Sequence, residues 1–162
     1  MLHSQVQIEA SPRHVSMRRM AVISDAGAIR AMASEEERRD DPDALMRSQV
    51  PAGVEIFEIH GALFFGAASK FKDAVRRIER APRVLILQMR DVLTVDATGL
   101  RALEDLFDKT RRDGTRLFLS GVHAHPLVAL VNSGLLARIG EANAFPDLRA
   151  ALARARELVG HA

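Results

Sequence analysis

One hydroxyl in this chain lies where its residue type and its position could support chemistry. The largely apolar run Val84–Met89 is too short for a helix and predicts a buried strand. Asp96 then predicts the N-cap of a following helix whose first turn carries Thr98. Backbone N–H groups are unsatisfied at a helix start and the helix dipole is positive there. The Thr98 hydroxyl could therefore accept a phosphate, or it could serve only as a cap.

The other polar candidates are weaker. Asp91 falls in the predicted strand-to-helix loop, where it could position a nucleotide or a partner, although such a carboxylate is more often simply solvated. His123 and His125 are close in sequence, but no carboxylate or third histidine follows at ligand spacing, so a metal site is not favoured. His60, next to Gly61, is interpreted as a loop residue near a strand end. No Ser-His-Asp, paired-glutamate or Cys-His arrangement is present, and we predict no enzyme activity.

The glycines and the phenylalanines give no stronger signal. Gly61 and Gly66 form neither a Gly-x-Gly-x-x-Gly nor a Walker pattern, so phosphate binding by a glycine-rich loop is unsupported. The Leu63–Phe65 segment could be a partner patch, although packing in the core is the more common use. We therefore predict no cofactor and no bound metal.

Composition excludes several classes of protein. The 162 residues favour one core, and the absence of cysteine excludes disulfides and thiolate metal sites. There is no Tyr or Trp, and the 23 basic and 21 acidic residues are interspersed, so nucleic-acid binding is not expected. The longest apolar runs are far below the ~20 residues of a membrane-spanning helix. Met1–Gln5 lacks the pattern of a secretory signal, which predicts a cytoplasmic location.

The chain divides into three predicted parts. Residues 1–16 form a polar tail, either native or derived from a cloning vector, and residues 17–49 form a linker. Ala21–Ala33 is apolar enough for a short helix or an adhesive segment, whereas Ser34–Asp43 is so polar that disorder is expected at about 34–48. Residues 50–160 form the folded domain.

Strands and helices alternate within that domain, which predicts an α/β fold. We expect a small mixed, mainly parallel sheet of four to five strands, with about four helices mostly on one face. The spacing predicts an extended piece at Leu63–Gly66, a helix through Phe71 and Ile78 that Pro82 ends, and a helix with Leu100, Leu103, Leu106 and Phe107 inward. It further predicts a short helix with Pro126 in its first turn, Leu127, Leu130 and Val131 inward and Gly134 as its cap, and a last helix from about Asp147 to Val159.

The turn Asp96-Ala97-Thr98-Gly99-Leu100 resembles the Asp-x-Ser/Thr-Gly-Leu turn of the STAS domain (sulfate transporter and anti-sigma factor antagonist). The similarity extends from Pro51 over about two thirds of the chain, and Gly53–Ala68 resembles the opening strands of the subset fused to SulP-type anion transporters. Upstream, Met17–Met20 resembles the basic exit of such a transporter's last membrane helix. In the switching relatives a kinase phosphorylates the hydroxyl that matches Thr98.

The resemblance implies a cytoplasmic regulatory and interaction domain of a SulP-type transporter of inorganic, sulfate-like anions, acting by protein docking. The alternative is a free-standing partner-switching protein of the anti-sigma factor antagonist type, controlled by phosphorylation at Thr98. In either case Asp91, Asp96, Ala97 and Gly99 would form the switch loop and helix start. The partner would be the transporter's membrane domain or a regulatory protein, nucleotide binding is left open, and no nucleic acid is implied. Contact with the membrane would come only through a fused transporter domain, which would place the chain at the inner face of the cell membrane.

Overall fold

Residues 50–63, 65–76, 78 and 80–160 are described by a computed structural model. The predicted tail, the predicted linker and the predicted short helix at Ala21–Ala33 lie outside the described residues. The elements in chain order are β1 (Val54–His60), α1 (Phe65–Arg76), β2 (Val84–Asp91), α2 (Ala97–Arg112), β3 (Arg116–Ser120), α3 (Ala124–Asn132), α4 (Leu135–Ile139), a 3-10 turn (Glu141–Asn143), β4 (Ala144–Phe145) and α5 (Leu148–Gly160).

The four strands form one sheet in the order β1-β2-β3-β4. Each neighbouring pair is parallel, so every connection along the chain is a crossover. The α/β prediction is confirmed, and within the described residues the sheet is wholly parallel rather than mixed. One irregularity interrupts the β1–β2 register, between Glu58 and His60.

Helices cover both faces of the sheet. Helices α1, α2, α3 and α4 contribute to a core on one face, where Phe57, Leu87 and Leu119 supply the sheet side. Helix α5 packs on the opposite face over Ile86 and Phe118. The prediction that the helices lie mostly on one face is thus confirmed. Because both faces are covered, the strands read as nearly continuous apolar runs.

The segment between β1 and β2 differs from the sequence prediction. The predicted extended piece over Leu63–Gly66 is not found among its described residues: Leu63 forms an isolated parallel bridge to Val95, and α1 begins at Phe65. Helix α1 then ends at Arg76, well before Pro82. The residue just before a proline is disfavoured in the helical conformation, and this chain leaves the helix earlier still.

Helix α3 is rotated relative to the prediction. Its buried residues are Pro126 and Leu130, whereas Leu127 and Val131 are 37% and 54% exposed. Each exposed residue directly follows a buried one and is therefore turned by about 100° around the helix axis. The predicted cap is confirmed, because Gly134 follows the helix with a φ of 77° and its N–H donates to the Val131 carbonyl.

The remaining helices follow the sequence closely. Leu103, Leu106 and Phe107 of α2 are buried, and Leu100 packs against the same core. Helix α5 begins after Asp147, whose carboxylate accepts a hydrogen bond from the Ala150 N–H at 2.8 Å. Among the described residues, no helix combines the length and apolar character needed to cross a bilayer.

Arg83, the residue just before β2, brings both ends of the described domain together. Its guanidinium donates to the carbonyl oxygens of Leu158 and Val159 at 3.2 and 3.3 Å, at the end of α5. Its backbone N–H donates to the Gly53 carbonyl at 2.8 Å, just before β1. The chain therefore enters and leaves the domain beside the same residue.

Candidate functional site

The start of α2 is built as the sequence predicts. Asp96 has extended backbone angles (φ −90°, ψ 179°), and its Oδ1 accepts a hydrogen bond from the Gly99 N–H at 2.7 Å. The Leu100 N–H donates to the Asp96 carbonyl at 2.9 Å, which closes the first helical turn. The predicted N-cap is confirmed, and one orphan backbone donor of the helix is satisfied.

The backbone of Leu63 lies against this helix start. The Leu63 N–H donates to the Thr94 carbonyl at 3.1 Å, and the Leu63 carbonyl accepts from the Asp96 N–H at 3.3 Å. The same carbonyl is so close to Gly99 that a Cβ at this position would lie 2.1 Å from it. Only glycine fits at position 99, and the sequence motif did not indicate this close contact with Leu63 as the cause.

Thr98 is the second residue of α2 and is partly exposed. Because the side-chain cap bond comes from Asp96, the hydroxyl of Thr98 is not the group that caps the helix. Ala97, before it, is exposed. Thr98 thus lies near the positive end of the dipole of a 16-residue helix, where a phosphate would be stabilised, and phosphorylation of Thr98 stays a prediction.

The loop between β2 and α2, residues 92–96, carries a large apolar side chain into solvent. Leu93 is 63% exposed, whereas its neighbours Val92 and Val95 are buried and anchor the loop. The first turn of α3 is tied to the strand before this loop, because His123 Nε2 contacts the Arg90 carbonyl. The large apolar residues that are exposed in the described chain are Leu93 in this loop and Leu127, Val128 and Val131 on α3.

A charged cluster lies where β1 and β2 end. His60, the last residue of β1, has its Nδ1 at 2.6 Å from Asp91 Oδ2 and its Nε2 at 3.2 Å from Glu58 Oε2. Hydrogen bonds to Asp91 and then to Glu58 raise the pKa of His60 from 6.5 to about 9, against the opposing effect of burial. Arg90 Nε lies 3.7 Å from the other oxygen of Asp91. His60 is therefore an imidazolium at neutral pH.

Two sequence interpretations are wrong here. Asp91 is the last residue of β2 and is ion-paired, rather than a solvated loop carboxylate. His60 belongs to β1 rather than to a loop. The sequence signal for this ion pair was that a histidine and an aspartate stand at the ends of two apolar runs predicted to be strands.

Of the other histidines, His123 and His125 are exposed, and the described residues contain no group of three side chains suited to hold a metal ion.

The predicted partner patch at Leu63–Phe65 is accounted for only at its first residue. Leu63 is fully buried and belongs to the core, as the more common use of such a segment predicts. The side chains of Phe64 and Phe65 lie outside the described residues.

The candidate site consists of three parts: the loop that carries Leu93, the start of α2 with Thr98, and the charged cluster around His60.

Comparison with known proteins places this geometry in a family. Residues 46–151 match the family model of the STAS domain. A crystal structure of a sulfate transporter family protein from Wolinella succinogenes is 44% identical, with a TM-score of 0.70, and the match covers 75% of this chain and 99% of that one. The SulP transporter STAS domain from Vibrio cholerae is 26% identical, with a TM-score of 0.63, over 79% of this chain and 100% of that one.

One curated relative is much longer than the match. YvdB of Bacillus subtilis (strain 168), whose name assigns it provisionally to the sulfate transporters, is 26% identical over 109 residues. That match covers 67% of this chain but only 19% of YvdB. The chain thus corresponds to about a fifth of that relative. With its parallel sheet, its capped Asp-x-Thr-Gly-Leu turn and these similarities, the chain belongs to the STAS domain family and is similar to the STAS domains of SulP-type sulfate transporters.

Proposed function

We propose that this chain is the cytoplasmic regulatory domain of a SulP-type inorganic-anion transporter and that it acts by docking to a protein. The docking surface is the loop of residues 92–96 together with the first turn of α2. The partner is the transporter's own membrane domain or a separate regulatory protein, and the domain performs no catalysis. The similarity to proteins named for sulfate transport supports a sulfate-like anion as the cargo of the whole transporter.

The exposure of Leu93 carries this proposal. A single exposed leucine is unremarkable on a flexible loop, but this loop is fixed on both sides by buried valines and by the hydrogen bonds to Leu63. The side chain is therefore presented in one place before a partner arrives. Covering it would contribute on the order of 1 to 2 kcal/mol, and a preformed loop lowers the entropic cost of binding.

Thr98 gives the same surface a means of control. Phosphorylation would add about −1.5 to −2 charges within a few residues of Leu93. The helix dipole would stabilise that phosphate, so the fold would persist while an apolar contact beside it would be opposed. The free-standing anti-sigma antagonist alternative would use the same hydroxyl, but the relatives named for sulfate transport do not favour it.

The test introduces single substitutions on the docking surface through the gene that encodes this domain, in the cells from which it comes. Leu93→Asp should reduce both uptake of radiolabelled sulfate and the protein that co-purifies with the domain, without changing its melting temperature by more than a few degrees. Ala153→Asp, at an exposed position on α5 on the opposite face, is the matched control and should leave both unchanged. Equal uptake and equal co-purification by the two variants would refute docking through this loop.

Thr98 needs a separate pair of variants. Thr98→Glu should weaken co-purification of the partner, whereas Thr98→Ala should retain it. Indistinguishable co-purification by the two variants would mean that Thr98 does not control the surface.

A further inference from the structure

The contact between His60 and Asp91 depends on a register shift. In a regular parallel ladder His60 would follow the pairs Glu58–Gln88 and Ile59–Met89 and would stand opposite Arg90. The irregularity after Glu58 instead pairs His60 with Asp91. Bulges of this kind re-aim side chains at the ends of strands. Here the bulge places His60 opposite the Asp91 carboxylate rather than opposite the Arg90 guanidinium.

Both ring nitrogens of His60 face carboxylates. A neutral imidazole carries one N–H and could donate to only one carboxylate, so the two contacts, at 2.6 and 3.2 Å, favour the imidazolium. The Glu58 side chain is nearly fully buried, at 4% exposed, whereas those of His60 and Asp91 are about a quarter to a third exposed. Loss of the proton would leave a buried carboxylate without this cation.

Beyond His60, the backbone of Gly61–Leu63 runs alongside the docking loop and is hydrogen-bonded to it. The Gly61 N–H donates to the Asp91 carbonyl at 3.2 Å, and the Leu63 N–H donates to the Thr94 carbonyl two residues farther on. Leu63 then receives the Asp96 N–H, beside the start of α2. The His60–Asp91 pair thus lies beside the first of three backbone hydrogen bonds, the last of which reaches the start of α2.

We propose that the His60 imidazolium is the positioning group of the docking loop: held between Asp91 and Glu58, it keeps the end of β1 against the end of β2 and so keeps Leu63 under residues 92–96. This inference rests on the proposed function for the meaning of the loop. In the described part of the chain, His60 contacts the carboxylates of Glu58 from β1 and Asp91 from β2, and Arg90 of β2 contacts Asp91. Raising the pH should neutralise His60 and loosen the loop while the sheet stays intact.

The experiment follows amide hydrogen exchange by NMR in the full 162-residue chain between pH 7 and pH 10, after correction for the intrinsic exchange rate. The amides of Gly61, Leu63 and Asp96 should lose protection by about tenfold, because the folded cluster holds its proton to higher pH than the free side chain does. The amides of Leu85 and Leu87, in the middle of β2, should not change. The imidazole C2 proton of His60 should titrate with the same midpoint as the loop amides.

Two variants separate positioning from a general effect on stability. His60→Gln should lower the protection of the three loop amides at pH 7 and remove the step, whereas His60→Arg, which stays charged, should keep protection at pH 10. Loss of the protein's cooperative melt in either variant would leave the wild-type titration as the deciding measurement. A His60 imidazole that titrates near 6.5, or loop amides with no step at its midpoint, would overturn the proposal. Neither result depends on a partner, so failure of docking and failure of this inference can be told apart.

Discussion

Replacing Gly99 with alanine tests the packing on which the candidate site depends. The new Cβ would lie 2.1 Å from the Leu63 carbonyl oxygen and 2.9 Å from Leu63 Cγ, whereas an ordinary contact needs about 3.4 Å or more. Leu63 is fully buried, so it can move only by disturbing the core. Relief of the clash would therefore displace either the helix start or the segment that carries Leu63 by more than ~1 Å.

Three contributions determine how much Gly99→Ala changes the free energy of unfolding. Overpacking of this kind costs about 1 to 3 kcal/mol. Loss of the hydrogen bond from the Asp96 N–H to Leu63 adds about 1 kcal/mol. The higher helix propensity of alanine offsets up to about 1 kcal/mol. We expect Gly99→Ala to lower the free energy of unfolding by about 2 kcal/mol.

The assay is equilibrium urea unfolding followed by far-ultraviolet circular dichroism, because the chain has no Trp or Tyr for intrinsic fluorescence. Gly160→Ala is the matched control, since a Cβ there meets nothing within 4 Å, and it should change stability by less than about 0.5 kcal/mol. If Gly99→Ala were as stable as the control, Leu63 would not be packed on the helix start and the description of the site would be wrong.

Three further predictions concern the core, the charged cluster and the helix start. Leu103→Ala should cost about 2 to 5 kcal/mol because Leu103 is buried in the main core, whereas Glu104→Ala, on the outer side of α2, should cost little; equal losses in urea unfolding would contradict the helix orientation. The pKa of His60 is higher in the folded chain, at about 9, than its unfolded value of 6.5, so its stabilisation is complete below about pH 6.5 and is lost as the pH rises through 9. Discounted for partial exposure, that loss is about 1 to 2 kcal/mol, and it should be absent from urea titrations of His60→Gln. Thr98→Glu should stay within about 1 kcal/mol of the wild type in the same assay, because it places an acidic group in the first turn of α2; a larger loss would mean that Thr98 is part of the core.

Local signals in the sequence predicted the parts of the site that lie on one continuous segment. The apolar run of β2, the Asp96 cap and the place of Thr98 all depend on neighbours within a few residues. Their geometry is set by backbone hydrogen bonding at a strand end and a helix start, which the residue types specify directly.

The contacts that the sequence did not predict join distant residues. His60 and Asp91 are 31 positions apart, and their meeting depends on a one-residue register shift that no local pattern encodes. The rotation of α3 was missed because apolar residues occupy both sides of this short helix. Its packing on the core, rather than its periodicity, selects Leu130 over Val131 as the inward residue.

The position of Arg83 has a consequence for any tethered arrangement of this domain. Chain segments joined at Val50 and at Gly160 both attach at the amino-terminal edge of the sheet, whereas Leu93 and Thr98 lie at its carboxyl edge. The eight residues of β2 separate the two edges by roughly 26 Å. To reach a target beside its own attachment point, a tether must therefore add about eight extended residues, while a target on another molecule requires none. Stepwise shortening of the segment before Val50 would distinguish docking in cis from docking in trans, because only the former has a minimum tether length.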